Sequence, residues 1–269
     1  MVVIKARDIV FAYKDNVILN NINISVKRGE VVSLVGPNGA GKTTLLKCIA
    51  TIKRPKKGLI SIDGKNPFLL SRKELARYIS YLPQTPVFKF PVAVFDTLLS
   101  GRRPYFSWIP SEDDIKKVEE VLNLMELSHI AYKNMDELSG GQRQKVLFAR
   151  TLVQQTPYLV LDEPNTGLDL RHQLEILEYV VMLARQKKKG ILMAIHDLNL
   201  AARFSDKIIM MHKGKIIAEG TPTHVLTEER IRSVYKVQAE IIRRNGYLNI
   251  NILKTIHTNP KRASQPMDL

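Results

Sequence analysis

The sequence predicts an α/β fold: a mainly parallel sheet, an N-terminal antiparallel β part and an inserted helical subdomain. Two observations carry this. VVSLV (31–35), LVLD (159–162) and ILMAI (191–195) are short apolar runs of buried-strand type. Between the last two, Leu170, Leu174, Leu177, Val181 and Ala184 recur at helical spacing and predict a long helix with one apolar stripe. Strands that alternate with helices assemble into a largely parallel sheet.

The first 35 residues read as strands, with IVFAY alternating toward an aromatic end. Asp63-Gly64, Lys213-Gly214 and Asn245-Gly246 mark turns. The helical subdomain is expected over about 85–155. Within it, Ser111 caps one helix, with Asp114 three residues on, and Ser139 caps another. After residue 227 come a short helix and a hairpin over about 237–253, where Leu248, Ile250 and Ile252 alternate with Asn249 and Asn251. One domain is expected over 1–254. The tail, 255–269, is polar and Pro-containing and reads as disordered.

Of the 269 residues 45% are hydrophobic, enough for a sizeable core. The single cysteine, Cys48, has no internal disulfide partner and fits a reducing cytosolic compartment; inside a helix it reads as a small buried hydrophobe. No signal peptide and no apolar run of membrane-spanning length is legible. The net charge of +15 is uneven. Residues 51–106 hold 11 basic and 3 acidic side chains, and residues 230–269 hold 8 and 2. Such patches suit nucleic acid, an anionic membrane surface or acidic partner loops. A generally basic soluble surface reads equally well. The first patch, with Arg102 and Arg103, is expected to face a membrane partner.

GPNGAGKT (36–43) follows a strand and opens a helix, which makes it a phosphate-binding loop (P-loop). Gly36, Gly39 and Gly41 let successive backbone N–H groups turn toward phosphate oxygens, across Pro37, Asn38 and Ala40 to Thr44 at the helix start. Lys42 reaches the β- and γ-phosphates, and Thr43 is a Mg²⁺ ligand. In YLVLDE (158–163), Asp162 ends a buried strand and suits Mg²⁺, while Glu163 has the type needed to deprotonate a water. His196 follows a strand at the end that faces the ligand crevice in a parallel sheet. Residue chemistry alone leaves it either a γ-phosphate donor or structural. The same holds for Tyr13, either an adenine platform or a core tyrosine, and for Gln84, either a metal- and water-contacting amide or an ordinary loop residue. LSGGQRQK (138–145) places Ser139, Gly140, Gly141 and Gln142 at a helix start, a second place for an anion. With its own nucleotide already held, the natural ligand there is the nucleotide of a second copy. A plain helix cap is the alternative.

These motifs, with GLD (167–169), stand in the order of the ATP-binding subunits of ABC transporters, and the resemblance runs from about residue 3 to 252. It implies a P-loop NTPase core, ATP and Mg²⁺ as ligands, and a head-to-tail homodimer in which LSGGQ faces the partner's ATP. It also implies Tyr13 on adenine, Gln84 as a metal ligand and at the membrane-subunit contact, His196 and Lys42 in catalysis, and Asp169 in the loop joining the two sites. GRRPYFSW (101–108), LDLRHQLEIL (168–177) and the stretch 196–222 resemble importers of iron-siderophore complexes, haem and cobalamin. That implies two transmembrane permease subunits, an extracytoplasmic substrate-binding protein, and a peripheral position on the cytoplasmic face of the cell membrane. NTG (165–167) departs from the family's usual Thr-Ser pair. The alternatives are a nucleic-acid-linked ABC ATPase or an exporter ATPase. With no zinc-type cysteine set, long coiled coil or interleaved aromatic stacking surface, no specific nucleic acid is expected.

Overall fold

The computed structural model describes residues 3–84, 91–244 and 246–256. β1 (Val3–Tyr13) and β2 (Asn16–Lys27) form a hairpin, and β3 (Val31–Val35) follows with every residue buried. Gly41, at φ 103, starts α1 (Lys42–Ile49). β4 (Lys57–Ile62) pairs antiparallel with the far side of β1, completing a three-stranded sheet ordered β2-β1-β4. Asp63 and Gly64 both take positive φ, 51° and 82°, as a tight primed turn requires. Then come α2 (Arg72–Leu75), β5 (Ile79–Leu82), α3 (Val94–Ser100), α4 (Glu112–Leu124) and α5 (Gly140–Val153).

Both expected caps form as reciprocal boxes. Ser111 Oγ accepts from Asp114 N and Ser139 Oγ accepts from Gln142 N, each at 3.2 Å, while the two acceptor side chains bond back to the cap N–H groups.

The chain continues through β6 (Tyr158–Asp162), α6 (Leu170–Lys187), β7 (Gly190–Ala194), α7 (Leu198–Phe204), β8 (Lys207–His212) and β9 (Lys215–Gly220). It ends with α8 (Pro222–Val225), α9 (Glu228–Tyr235) and the hairpin of β10 (Val237–Arg244) and β11 (Tyr247–Thr255). The main sheet is ordered β5-β6-β7-β3-β8-β9 and is parallel except for β9. Period-two alternation splits each central strand between two cores. Val31 and Val35 join the core that packs against the helices, whereas Val32 and Leu34 join the one shared with α1 and the antiparallel sheet. Cys48 is fully buried in the latter. The C-terminal ends of β3 and β6, both central, therefore open at one edge, where the two functional loops emerge.

Three expectations are corrected. The buried face of α6 is Ile176, Leu177, Val180, Leu183 and Ala184, and Leu170 is 80% exposed. The predicted stripe began one turn too early: Leu177 and Ala184 are buried, Leu174 and Val181 pack against the core, and Leu170 stands clear of it. In β11, Ile250 is buried but Ile252, still paired with Ala239 of β10, is 55% exposed. Arg102 is not a surface charge. It is 3% exposed, its Nε donates to Asp114 Oδ1 at 2.8 Å, and its Nη1 donates to Val153 O and Gln155 Oε1. Arg103, by contrast, is exposed. Asn245 of the expected turn, the start of the helical subdomain at 85–90 and the tail from 257 lie outside the described residues.

Candidate active site

The phosphate loop leaves β3 and enters α1 with glycine where the geometry demands it. At Gly36 (φ 148) a Cβ would meet Met211 O at 2.2 Å; at Gly41 (φ 103) it would meet Leu19 Cδ2 at 2.9 Å. Asn38 through Thr44 line a cleft of about 460 Å³ together with Tyr13, Gln84 and Glu163. Gly36 and Pro37 lie behind it, where their carbonyls accept from Lys42 Nζ at 2.6 and 3.2 Å. Burial pushes the Lys42 ammonium below the ordinary lysine pKa, and the charges of Glu163 and Asp162 oppose that shift. A buried cation neutralised only by carbonyl dipoles and nearby acids is poised for an anion. Tyr13, 46% exposed, stands at the rim with Phe11 against its ring at 4.9 Å and Lys53 Nζ 5.4 Å from its centroid.

β6 delivers the two acids. Asp162 is fully buried; its Oδ1 accepts from Thr43 Oγ1 at 3.0 Å and its Oδ2 from Tyr81 OH at 3.4 Å. Burial raises the Asp162 pKa above the ordinary carboxylate value, Thr43's hydrogen bond opposes the rise, and Glu163 adds to it. A second cation beside it would relieve that cost. Thr43 and Asp162 offer one hydroxyl and one carboxylate, the few hard oxygens suited to Mg²⁺, which keeps much of its water shell. Glu163 follows with φ 55, in the left-handed region that is uncommon for a non-glycine residue. Its carboxylate accepts from Gln84 Nε2 at 2.8 Å and Thr166 Oγ1 at 3.2 Å, and meets His196 Nε2 on its other oxygen. His196 does not line the phosphate cleft; it reaches the site through this contact.

Ser139, Gly141 and Gln142 line a different cavity of about 250 Å³ with Lys145, Gly167 and Asp169. Asp169 caps α6, accepting from His172 N at 2.9 Å. Among the described residues the two cavities share no lining residue. A Cβ at Gly140 would meet nothing within 4 Å, so packing inside this chain does not account for that glycine.

The structure thus gathers Tyr13, residues 36–44, Gln84, Asp162, Glu163 and His196 in one place, and Ser139–Gln142 with Asp169 in another. Three contributors were not legible. Tyr81 reaches Asp162 from β5, Thr166 reaches Glu163 from three residues on, and the Gln144 amide reaches the carbonyls of Glu163 and Pro164 at 3.4 and 3.3 Å. Gln144 stands in the quoted run LSGGQRQK, but only its inward orientation on α5 marks it out.

The sequence matches the ABC transporter family over residues 19–166, more than half of the chain. The chain belongs to the ABC transporter ATP-binding family. It is 45% identical over 241 residues to an uncharacterized ABC transporter ATP-binding protein of Methanocaldococcus jannaschii, covering 90% of this chain and 94% of that one. It is 40% identical to the iron(3+)-hydroxamate import ATP-binding protein of Bacillus subtilis, covering 86% of each, and 38% identical to the hemin import ATP-binding protein of Bordetella avium, covering 84% and 88%. Among solved structures, an inward-facing metal-chelate type ABC transporter shares the fold at TM-score 0.81 and 24% identity, covering 94% of this chain and 97% of that one. A dimeric ATP-binding cassette in a post-hydrolysis state, bound to ADP and Pi, matches at TM-score 0.74 and 29% identity, covering 81% and 98%. The chain is accordingly an ATPase coupled to transport, and none of its described helices is long and apolar enough to cross a membrane.

Proposed function

We propose that this chain is the ATP-hydrolysing subunit of an importer for a metal chelate of the iron-siderophore, haem or cobalamin kind. Two copies act head to tail with two ATPs between them. They sit on the cytoplasmic face of the membrane against two permease subunits, which an external binding protein supplies. The observation that carries the dimer is the second cavity, at the N-terminus of α5 and separate from the phosphate cleft; beside it Gly140 is a glycine that this chain's packing does not require. The cargo class rests on the iron-hydroxamate and hemin import relatives.

In this reading Lys42 leaves the carbonyls of Gly36 and Pro37 for the β- and γ-phosphates, and the loop N–H groups hold the remaining oxygens. Thr43 and Asp162 would hold Mg²⁺, which when bound would neutralise charge on the phosphates. Tyr13 supports the adenine. Glu163 takes a proton from water as the water oxygen bonds to the γ-phosphorus and the bond to ADP breaks. Gln84 keeps the Glu163 carboxylate aimed, and His196 leaves its contact with that carboxylate to donate to the γ-phosphate. Ser139 and Gly141 of each copy close on the other copy's γ-phosphate, so ATP favours the closed pair and hydrolysis releases it.

The test is transport by the reconstituted complex. The chain, its permease and the binding protein are placed in vesicles with ATP, and uptake of labelled ferric hydroxamate, haem and cobalamin is compared. ATP-dependent uptake of one of them, lost in Lys42→Ala, supports the reading. ATP-dependent movement only in the opposite direction, or ATP hydrolysis stimulated by DNA or RNA at physiological salt, overturns it.

A further inference from the structure

We infer that Gln144 is a positioning residue for Glu163, and that it ties the second cradle to the hydrolytic carboxylate of the same chain. The inference rests on the site reading above. Gln144 is 7% exposed and lies five residues beyond Ser139 on α5. Its Nε2 faces the carbonyls of both Glu163 and Pro164, at 3.4 and 3.3 Å. Glu163 leaves β6 in the left-handed conformation, which turns the backbone out of strand pairing just after its N–H has bonded to Ala194 O at 3.2 Å; its carbonyl already accepts from Thr166 N at 3.2 Å, and the Gln144 amide adds a second donor there and one to the Pro164 carbonyl. With the Thr166 N–H, the amide braces the bend that aims the side chain at Gln84, Thr166 and His196.

The same helix touches the other end of this segment. A Cβ at Gly141 would lie 3.3 Å from Leu168 Cδ2 and 3.7 Å from Gly167 O. The first two turns of α5 thus grip residues 163–168 at both ends. α5 is one continuous helix from its cap at Ser139, so a displacement of that cap is passed to Gln144 as a rigid-body movement. Closure of Ser139 on a partner's nucleotide then adjusts the bend at Glu163 in its own chain, and hydrolysis at one site senses occupancy of the other.

The experiment measures steady-state ATP hydrolysis by the full chain carrying Gln144→Met, which keeps length and bulk but removes the donor. The expected result is a kcat lower by about 10- to 100-fold, the scale of a small misplacement of a reacting group, with KM for ATP within about twofold because the phosphate loop is untouched. Combining Gln144→Met with Glu163→Gln should leave the residual rate of Glu163→Gln unchanged, since a group that acts through Glu163 has nothing left to position. Gln144→Glu supplies the second variant. A buried carboxyl facing two carbonyls donates only when protonated, so its rate relative to the natural chain should rise as pH falls from about 8 to 6. An unchanged kcat in Gln144→Met, an additive loss in the double variant, or a Gln144→Glu ratio flat with pH overturns the inference. If Glu163→Gln itself hydrolyses ATP normally, the site reading fails instead.

Discussion

Gln84 Nε2 donates to Glu163 Oε2 at 2.8 Å, joining two residues 79 positions apart. Gln84 stands just past β5 and Glu163 just past β6, and those strands are parallel neighbours in register from Ile79 opposite Tyr158 to Leu82 opposite Leu161. The sheet therefore sets this contact.

Gln84→Ala should lower kcat by about 10- to 100-fold through loss of aim, with ATP affinity nearly unchanged. Gln84→Glu should do more than remove the bond. A second carboxylate repels its neighbour, so kcat should fall below that of Gln84→Ala at every pH. Steady-state kinetics from pH 5.5 to 8.5 checks both.

Asp162→Asn should separate stability from function. Burial raises the Asp162 pKa, so its ionised form at neutral pH costs the folded state. The sign follows: with the folded value above the unfolded one, that cost is absent below the unfolded value and grows as pH rises through the folded one. Asn keeps an acceptor for Thr43 and adds no charge. The nucleotide-free variant should melt higher than the natural chain at pH 7.5, and the gap should close toward pH 4. Mg²⁺-dependent hydrolysis should fall by at least about 100-fold if Asp162 holds the metal as proposed. Thermal melts with and without Mg-ATP read both effects.

Arg102→Met should destabilise the chain by about 3–5 kcal/mol, since it leaves Asp114 as an unpaired buried charge. Arg103→Glu, at an exposed neighbour, should change stability by less than about 0.5 kcal/mol. Burial by itself would raise the Asp114 pKa, but hydrogen bonds from Ser111 and Arg102 outweigh it and hold the carboxyl below its ordinary value. The stability from that pair is therefore present above the unfolded value of about 3.9 and lost as pH falls through the lower folded one. The penalty of Arg102→Met should shrink in acid. Urea titrations at pH 7 and pH 3.5 check the sign.

The phosphate loop and the acid pair were legible because each is written contiguously: glycines at fixed offsets before Lys42, and two acids ending one apolar strand. The helix caps at Ser111 and Ser139 were legible because a cap needs only residues three apart. Tyr81 and Gln144 were not, because their contacts with Asp162 and Glu163 depend on which strands neighbour in the sheet and which face of α5 turns inward. Arg102 misled for the same reason. Its partners Asp114, Val153 and Gln155 come from separate segments, so a residue counted as surface charge is a core ion pair. The phase of α6 was legible from Leu174 to Ala184, but not its start at Leu170, because a stripe of apolar residues does not say where core contact begins.

Glu163→Gln, compared with and without ATP by gel filtration and light scattering, tests the two-cradle account most directly. Gln cannot take the proton, so hydrolysis should fall by about 10²- to 10⁴-fold, while Lys42, Thr43 and Asp162 still bind Mg-ATP. Removing one negative charge beside the triphosphate favours closure. The variant should become a dimer when ATP is added and return to monomer when it is removed, and Ser139→Arg in the same chain should abolish the dimer. A Glu163→Gln chain that binds ATP yet stays monomeric, or a dimer indifferent to Ser139→Arg, would contradict the account.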